Sequence, residues 1–238
     1  DRQIQSGTFV LESDLRAIDI LNALNEKPVV HSHKITFPEG LNRWQIADKM
    51  AHHGWSRDPG LTLIAGHKLE GKLFPDTYLY EKGSAAKELL FRMHQRFEKV
   101  WQKLLSKYPK PSNFSEDELI TLASLVEKEM VNTDEASLIA RVFVNRLLVN
   151  MKLQSDPTYV YSADRYGQKP TRADRLKQGN PYNTDRIKGL PPGPIANPGK
   201  TAMKAALRPD ESADSKKLFY FVAKQDGSGT HYFSKSYS

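Results

Sequence analysis

The sequence predicts an α+β fold in which helices are combined with short strands and loops. Three observations support this prediction. Apolar residues recur at helical spacing in the middle of the chain, residues 180–199 contain five prolines and three glycines, and residues 218–233 have the pattern of a β-hairpin. With 238 residues, of which 39% are hydrophobic, the chain can bury the core of one medium domain or two small ones.

The first seventy residues are predicted to form two strand–turn–helix units. The first unit has strand-like residues Gly7–Leu11, followed by apolar residues at helical spacing from Leu15 to Leu24. The second has a strand at Lys34–Phe37 and a helix that begins near Trp44 and stops at Gly54, because glycine commonly ends a helix. The two units share this order of elements more than they share residues.

Two long helices are predicted in the middle of the chain. After a turn at Gly71–Thr77, an amphipathic helix covers Ala85–Lys107. The next begins at a capping box, in which the Ser115 hydroxyl can accept from the third helical N–H and Glu118 can reach back. Behind this box runs an apolar stripe that one helix face would bury: Leu119, Leu122, Ala123, Val126 and Met130.

A further helix is expected from Asn132 or Thr133 to about Asn150, with acidic residues at its positive N-terminus. The rest of the chain is expected to be mostly loop and strand. The proline- and glycine-rich residues 180–199 predict a rigid loop without helix or strand. Residues Leu218–Ala223 and His231–Phe233 predict the two strands of a closing hairpin.

Composition and charge narrow the possible functions. The chain has no cysteine, which excludes disulfides, thiol catalysis and cysteine-bound zinc. The net charge is +7 and lies mainly in the second half, where residues 120–238 hold 18 basic and 12 acidic residues. Nucleic acid, an anionic membrane surface and an acidic polymer are all compatible with this charge. The uninterrupted apolar segment Leu119–Val126 is too short to span a membrane.

Glu127 and Glu129 are the carboxylates most suited to catalysis. They point about 200° apart around a helix, so they cannot face one substrate as a pair. Each flanks the apolar stripe, where loss of water raises the pKa of a carboxyl and keeps it protonated as a general acid. Alternatively, both are solvated surface residues that pair with Lys128 or Arg141. The pattern alone does not choose between the two glutamates.

Seven segments resemble, in the same order, the motifs of the MltG (YceG-like) family of endolytic murein transglycosylases. The resemblance covers about residues 70–238 and rests on Glu70–Thr77, Leu122–Glu129, Val142–Leu147, Met151–Thr158, Tyr182–Thr184, Gly189–Gly199 and Leu218–Val222. It implies a YceG-like catalytic domain at residues 71–238. Residues 1–70 resemble the LysM-like region of the family, cut at its N-terminal side.

The resemblance assigns the catalytic acid to Glu129 and leaves Glu127 as a supporting carboxylate behind it. Such an enzyme cleaves the β-1,4 bond between N-acetylmuramic acid and N-acetylglucosamine within peptidoglycan strands. It leaves 1,6-anhydro ends and needs no cofactor, because one glutamate acts first as acid and then as base. A hydrolase would normally use a second carboxylate, and Asp156 is the nearest candidate; Asp156 could equally be a turn residue before Pro157.

Five residues are predicted to bind the glycan: Asn145, Gln154, Asp156, Tyr182 and Asn183. Gln154 and Asp156 can offer polar contacts to sugar hydroxyls or acetamido groups. Tyr182 could stack on a sugar and Asn183 could bond its acetamido group, although both could instead brace the loop. Asn145 lies within a predicted helix, where a polar amide either faces solvent or meets a buried partner.

Other function classes are less well supported. No His-Glu-x-x-His run or third histidine ligand indicates a metal site, and no pattern of basic and aromatic residues indicates nucleic-acid binding. A hydrolytic muramidase and a non-catalytic glycan-binding module remain as alternatives. The chain begins at Asp1 rather than Met, so we expect a processed or trimmed product. The resemblance further implies a single-pass N-terminal anchor in the bacterial inner membrane, outside this chain, a periplasm-facing domain and peptidoglycan synthases as partners.

Overall fold

The computed structural model describes residue 11 and residues 13–25, 32–66 and 68–237. The predicted strand Gly7–Leu11 lies outside these residues, apart from Leu11. The described part combines eight α-helices with four short strands, which agrees with the predicted α+β class. Within the described residues, no helix is both long enough and apolar enough to cross a bilayer.

The N-terminal elements are α1 (Ala17–Asn25), β1 (Ser32–Thr36), α2 (Arg43–His52) and α3 (Arg57–Gly66). Helix α2 begins at a capping box between Asn42 and Gln45. The sequence did not indicate α3, which contains a proline and a glycine; the proline lies in its first turn, where the missing N–H costs no helical hydrogen bond. The LysM-like nature of residues 1–70 stays a prediction.

A small sheet joins the two sides of the predicted domain boundary at residue 70. Strand β2 (Thr77–Glu81) pairs with β1 antiparallel, with Ser32 opposite Glu81 and Thr36 opposite Thr77. This sheet, α2, α3 and the start of the next helix enclose one apolar cluster: Ile35, Phe37, Ile46, Met50, Ile64, Leu69, Leu73, Tyr78, Tyr80, Leu89, Leu90 and Met93.

Helices α4 (Ala86–Lys107), α5 (Glu116–Glu129) and α6 (Ala136–Leu148) confirm the three predicted helices. The Ser115–Glu118 capping box is formed in both directions. Every residue of α5 from Leu119 to Val126 is buried, although the sequence indicated a single apolar stripe. The reason is that α5 packs against both α6 and a later helix, so it lies at the centre of the second apolar cluster.

That later helix, α8 (Lys200–Leu207), corrects the expectation of loop and strand in this region. Residues 202–207 include three alanines, the best helix former, and α8 buries them against α5 and α6. A short helix α7 (Arg172–Leu176) also lies in the expected loop region. The predicted hairpin is confirmed as β3 (Tyr220–Ala223) paired antiparallel with β4 (His231–Ser234).

Residues 180–199 contain no helix or strand, as predicted, and they connect the two apolar clusters. Asn197 Oδ1 accepts from the Leu73 N–H at 2.8 Å, and its amide nitrogen donates to Leu41 O at 3.0 Å. Gly71 faces this loop with φ +79°, and a Cβ there would lie 2.5 Å from Pro194 Cγ. Glycine is therefore required at position 71 both by its backbone conformation and by the close approach of the loop.

Candidate active site

Glu129 is the last residue of α5, and its side chain meets the segment that follows α6. The Ser155 hydroxyl donates a hydrogen bond to Glu129 Oε1 at 2.5 Å. Among the described residues, no hydrogen bond to Oε2 is formed, so this oxygen is available to a ligand. Glu129 thus combines one fixed and one open oxygen.

Burial is the main reason why the pKa of Glu129 rises to about 7. The negative charge of Asp156 raises it as well, whereas the Ser155 hydrogen bond and electrostatic interactions with His231 and Arg146 lower it. The C-terminal end of a helix also disfavours a carboxylate. Near neutral pH, such a carboxyl is present in both protonation states. This property is required of a group that first donates and then accepts a proton.

The sequence did not single out Ser155, which the surrounding backbone holds in place. Its N–H donates to Thr184 Oγ1 at 2.9 Å, and its carbonyl accepts from the Thr158 hydroxyl at 2.6 Å. Ser155 lies within the motif that carried the family resemblance, so its position was a usable signal. Its hydrogen bond to Glu129, 26 residues away, could not be read from spacing.

Gln154 and Asp156 flank Ser155 and are both exposed, while Ser155 itself is buried. Gln154 has φ +50°, a left-handed conformation supported by the hydrogen bond from its N–H to Thr184 O at 3.2 Å. Asp156 begins a single 3₁₀ turn and accepts from the Tyr159 hydroxyl. The chain therefore presents two polar side chains to solvent on either side of the residue that holds Glu129.

Two further side chains, Arg146 and His231, act electrostatically on Glu129, and neither was predicted as a site residue. Arg146 on α6 donates from Nε to Phe219 O at 2.7 Å and from Nη1 to Leu153 O at 2.5 Å. Burial lowers the pKa of Arg146. His231 on β4 is held by Glu135, whose carboxylate accepts from the His231 N–H and lies 2.8 Å from its Nδ1. These contacts hold the hairpin beside the Glu129 site.

Asn145 is buried, and its amide nitrogen donates to Ser215 O at 2.9 Å and to Leu218 O at 2.7 Å. Both amide hydrogens are used in this way, so the contacts of Asn145 are those of a brace between α6 and the segment before β3. Of the alternatives open at the sequence level, the buried partner is the one observed.

Asn183 and Tyr182 are neighbours in the sequence but differ in burial and contacts. Asn183 is fully buried; its amide nitrogen faces three carbonyls around the end of α7, and its Oδ1 accepts from the Asp185 N–H at 3.0 Å. These contacts brace the loop. Tyr182 is half-buried, with its ring centroid 4.6 Å from that of Tyr161, and it lines a cavity together with Glu70.

Glu127 points away from Ser155, to the start of α8. Its Oε2 accepts from the Gly199 N–H at 2.9 Å, where Gly199 is the N-terminal cap of that helix. Burial raises the pKa of Glu127, and the Gly199 hydrogen bond opposes this effect. A carboxylate at this point stabilises the positive end of the helix. The two glutamates of the Glu-Lys-Glu run thus have separate surroundings.

Glu70 is a second buried carboxyl that sequence reasoning did not select. Burial raises its pKa to about 7. Its Oε2 accepts from the Arg43 N–H at 2.9 Å and the Tyr161 hydroxyl at 2.7 Å, and its Oε1 accepts from Asn197 Nδ2 at 3.0 Å. Glu70 therefore links α2, the segment after Ser155 and the proline-rich loop.

Over the described ranges, no three or more histidine, aspartate or glutamate side chains converge in a way that could hold an ion.

Three comparisons with known proteins agree with each other. A protein from Bacillus subtilis named endolytic murein transglycosylase is 37% identical over 161 residues, which are 68% of this chain and 43% of that protein. One of the same name from Streptococcus pneumoniae is 35% identical over 163 residues, 67% of this chain and 29% of that protein. This chain therefore spans less than half of the length of either relative.

The fold has a solved counterpart as well. The crystal structure of a yceG-like protein from Listeria monocytogenes superposes with a TM-score of 0.71 at 30% identity, covering 92% of this chain and 78% of that one. The sequence also matches the YceG-like family over residues 1–238. The chain belongs to the YceG-like family.

Proposed function

We propose that this chain is the catalytic part of an endolytic murein transglycosylase that uses Glu129 as its only acid and base. The observation that carries the proposal is the Glu129 carboxyl, which has a pKa of about 7, one oxygen held by Ser155 and one without a partner among the described residues. Two relatives that carry this activity in their names support the reaction class.

The reaction follows from a carboxyl that can change protonation state at neutral pH. Protonated Glu129 donates its proton to the glycosidic oxygen between N-acetylmuramic acid and N-acetylglucosamine, and the bond from that oxygen to C1 breaks. The resulting carboxylate takes the proton from the C6 hydroxyl of the muramoyl sugar. The C6 oxygen then bonds to C1 and forms the 1,6-anhydro ring, so the atoms balance without water.

The surroundings of Glu129 have defined roles in this scheme. Ser155 fixes the carboxyl group through its hydrogen bond and favours the charged form that must accept the second proton. Arg146 and His231 favour the same form through their electrostatic interaction with the carboxyl group. The exposed Asp156 carboxylate can stabilise the positive charge that develops on the sugar ring, and Gln154 can bond sugar hydroxyls.

The other predicted site residues take supporting places in the proposal. Asn145 and Asn183 hold the backbone around the site, as their hydrogen bonds to carbonyls indicate. Glu127 anchors α8 against α5. Tyr182 remains the residue proposed to stack on a sugar, because part of its ring is accessible.

The main alternative is a hydrolytic muramidase, and the observation that favours it is the exposed Asp156 beside the Glu129 site. Asp156 could activate a water molecule for attack on C1. A non-catalytic glycan-binding module is the second alternative.

Product mass separates these possibilities. Purified peptidoglycan is digested with the protein, and the fragments are analysed by mass spectrometry. Anhydro ends, lighter than reducing ends by one water, are the expected result. If all new ends are hydrated, the transglycosylase proposal is wrong and the protein is a muramidase. If the glycan binds without any cleavage, the protein is a glycan-binding module.

The cellular setting is part of the same proposal. Murein lies outside the cytoplasm, and the relatives' names support action at that location. We place the catalytic part on the outer face of the inner membrane, held by an N-terminal anchor beyond these residues, where it would terminate new strands next to peptidoglycan synthases. Co-purification of the full-length protein with a synthase from detergent extracts tests the partnership; its absence after cross-linking would contradict it.

A further inference from the structure

A cleft borders the two chain segments that carry the Glu129 site. It has a volume of about 310 Å³ and is lined by the start of α2, the last turn of α5 and the segment from Pro157 to Pro170. Lys128 immediately precedes Glu129, and Pro157 immediately follows Asp156. Along both segments, a residue that lines the cleft is therefore the direct neighbour of a residue of the Glu129 site.

The cleft has an unbalanced positive charge. Of the described residues that line it, Lys128 and Lys169 are charged and none is acidic. Lys128 Nζ donates to Gly40 O at 3.2 Å, and neither lysine forms an ion pair with a carboxylate of the described residues. Removal of water by the surrounding protein lowers the pKa of Lys128, while Glu127 and Glu129 oppose this effect. A bound anion would compensate for that lost hydration.

Glu127 and Glu129 act on Lys128 without forming an ion pair with it, and the acids on the neighbouring segments have other partners. Asp48 pairs with Arg57 and accepts from Tyr166, and Asp174 pairs with Arg165 at 2.5 Å. The cavity around Glu70 differs because acidic residues also line it: Glu70, Asp117 and Glu118, of which Asp117 pairs with Lys72 at 2.8 Å.

Two amide groups add hydrogen-bond donors to the cleft. In the capping box of α2, Asn42 Oδ1 accepts from the Gln45 N–H, and Gln45 Oε1 accepts from the Asn42 N–H, each at 3.1 Å. The acceptor oxygens of both side chains are thus occupied. Their NH₂ groups form no hydrogen bond within the described part of the chain. The polar groups left for a ligand are two ammonium and two amide donors, a set that suits a carboxylate.

We propose that this cleft binds a carboxylate of the peptide stem on the muramoyl sugar whose glycosidic bond is cleaved. This inference rests on the proposed function. The stem is joined to the lactyl group of that sugar, so it leaves the chain at the cleavage position. An extended stem advances about 3.3–3.6 Å per residue, and two or three residues are long enough to reach a neighbouring cleft. The cleft would then select glycans that carry stems.

The test compares two substrates of equal glycan length, one with intact stems and one from which an amidase has removed them. Lys169 is exposed, so Lys169→Gln leaves the fold intact, and Lys103→Gln, at an exposed residue of α4, is the matched control. For Lys169→Gln, we expect kcat/KM to fall about two- to fivefold on stem-bearing glycan, a size suited to one partly exposed charge contact, and to stay unchanged on stripped glycan. Lys169→Glu should lower the first value further, and Lys103→Gln should change neither.

The outcomes separate this inference from the function beneath it. If the wild-type protein cleaves both substrates equally and Lys169→Gln alters neither, the stem cleft is wrong and the transglycosylase proposal stands. Equal losses on both substrates would also overturn the stem cleft. If wild-type protein cleaves neither, the proposed function fails. A binding measurement with Glu129→Gln then tests stem binding by the cleft without cleavage. Stem-bearing glycan should bind more tightly than stripped glycan, and adding Lys169→Gln should remove that difference.

Discussion

The Glu129 and Glu70 regions contain carboxyl groups with the same raised pKa, about 7, but with different surroundings. Glu70 has three hydrogen-bond donors from three different segments, and these use both of its oxygens. Glu129 has a hydrogen bond at one oxygen only, from Ser155, as far as the described residues go. A raised pKa therefore identifies a buried carboxyl, while the open oxygen next to exposed polar residues supports the proposed catalytic role of Glu129 and has no equivalent at Glu70.

The largest expected effect is on the activity of Glu129→Gln. Loss of the general acid should lower kcat by about 10²- to 10⁴-fold, because proton transfer contributes about that much. The folded state should persist, since the amide replaces a carboxyl that burial disfavours. Quantified release of anhydro muropeptides measures the loss, and circular dichroism checks the fold.

The matched variant is Glu127→Gln, which differs by two positions on the same helix. We expect it to weaken the anchor of α8 at Gly199 and to retain most activity per folded molecule. A full loss with Glu127→Gln alongside full activity with Glu129→Gln would exchange the two roles.

For Glu70→Ala, we expect the main effect on the free energy of unfolding rather than on catalysis. Removing this carboxyl leaves the Tyr161 hydroxyl, the Arg43 N–H and the Asn197 amide without their acceptor. Unpaired buried groups cost about 1–3 kcal/mol each before relaxation, so the free energy of unfolding should fall by about 2–4 kcal/mol. Urea denaturation measures this change. A stable variant with no activity would instead assign Glu70 to catalysis.

The next prediction concerns how the free energy of unfolding depends on pH. The folded-state pKa of Glu70 is about 7, above the unfolded value near 4.5, so folding favours the protonated form. Its contribution is complete below about pH 4.5 and is lost as the pH rises through about 7, at most about 3 kcal/mol at 1.36 kcal/mol per pKa unit. Glu70→Gln should flatten this part of the stability–pH curve. An unchanged slope between pH 5 and 8 would contradict the raised pKa.

The smallest effect is expected for Ser155→Ala. The Ser155 hydrogen bond favours the carboxylate form of Glu129, so its loss should raise the pKa of Glu129 further. We expect the high-pH limb of the kcat profile to move to higher pH and the maximum rate to fall about tenfold, corresponding to about 1.4 kcal/mol. Ser155→Thr, which keeps the hydroxyl, should restore the profile. A limb that moves to lower pH would contradict the proposed contact.

Regular elements were predictable where local patterns were strong. The Ser115–Glu118 capping box and the apolar periodicity behind it located α5, and two segments rich in aromatic residues on either side of the turn at Asp226–Thr230 located the hairpin. Helix α3 was missed because Pro59 and Gly60 hide a helical start, and α8 was missed because it follows a loop rich in prolines. In both helices, burial against neighbouring helices supplies what the local sequence signal lacks.

The candidate site was predictable only in part. The family motifs selected Glu129, and helix geometry showed that Glu127 and Glu129 face different directions. Ser155, Glu70 and the Glu135–His231 pair were missed, because their partners are 26, 91 or 96 residues away in the sequence. Asn145 and Asn183 were selected as polar motif residues, and only their contacts show that their amides hold the backbone.

Local sequence was enough to establish the α+β class, the central helix α5, the loop at residues 180–199 and the presence of two glutamates at the end of that helix. These features depend on backbone preferences and on hydrophobic periodicity over a few turns. The environment of each glutamate was decided by tertiary packing. Glu127 accepts a hydrogen bond from the Gly199 N–H at the start of α8. Glu129 accepts one from the Ser155 hydroxyl, and Ser155 lies between two exposed polar residues. Desolvation and long-range hydrogen bonds set the pKa of a carboxyl, and both arise only when distant segments pack together.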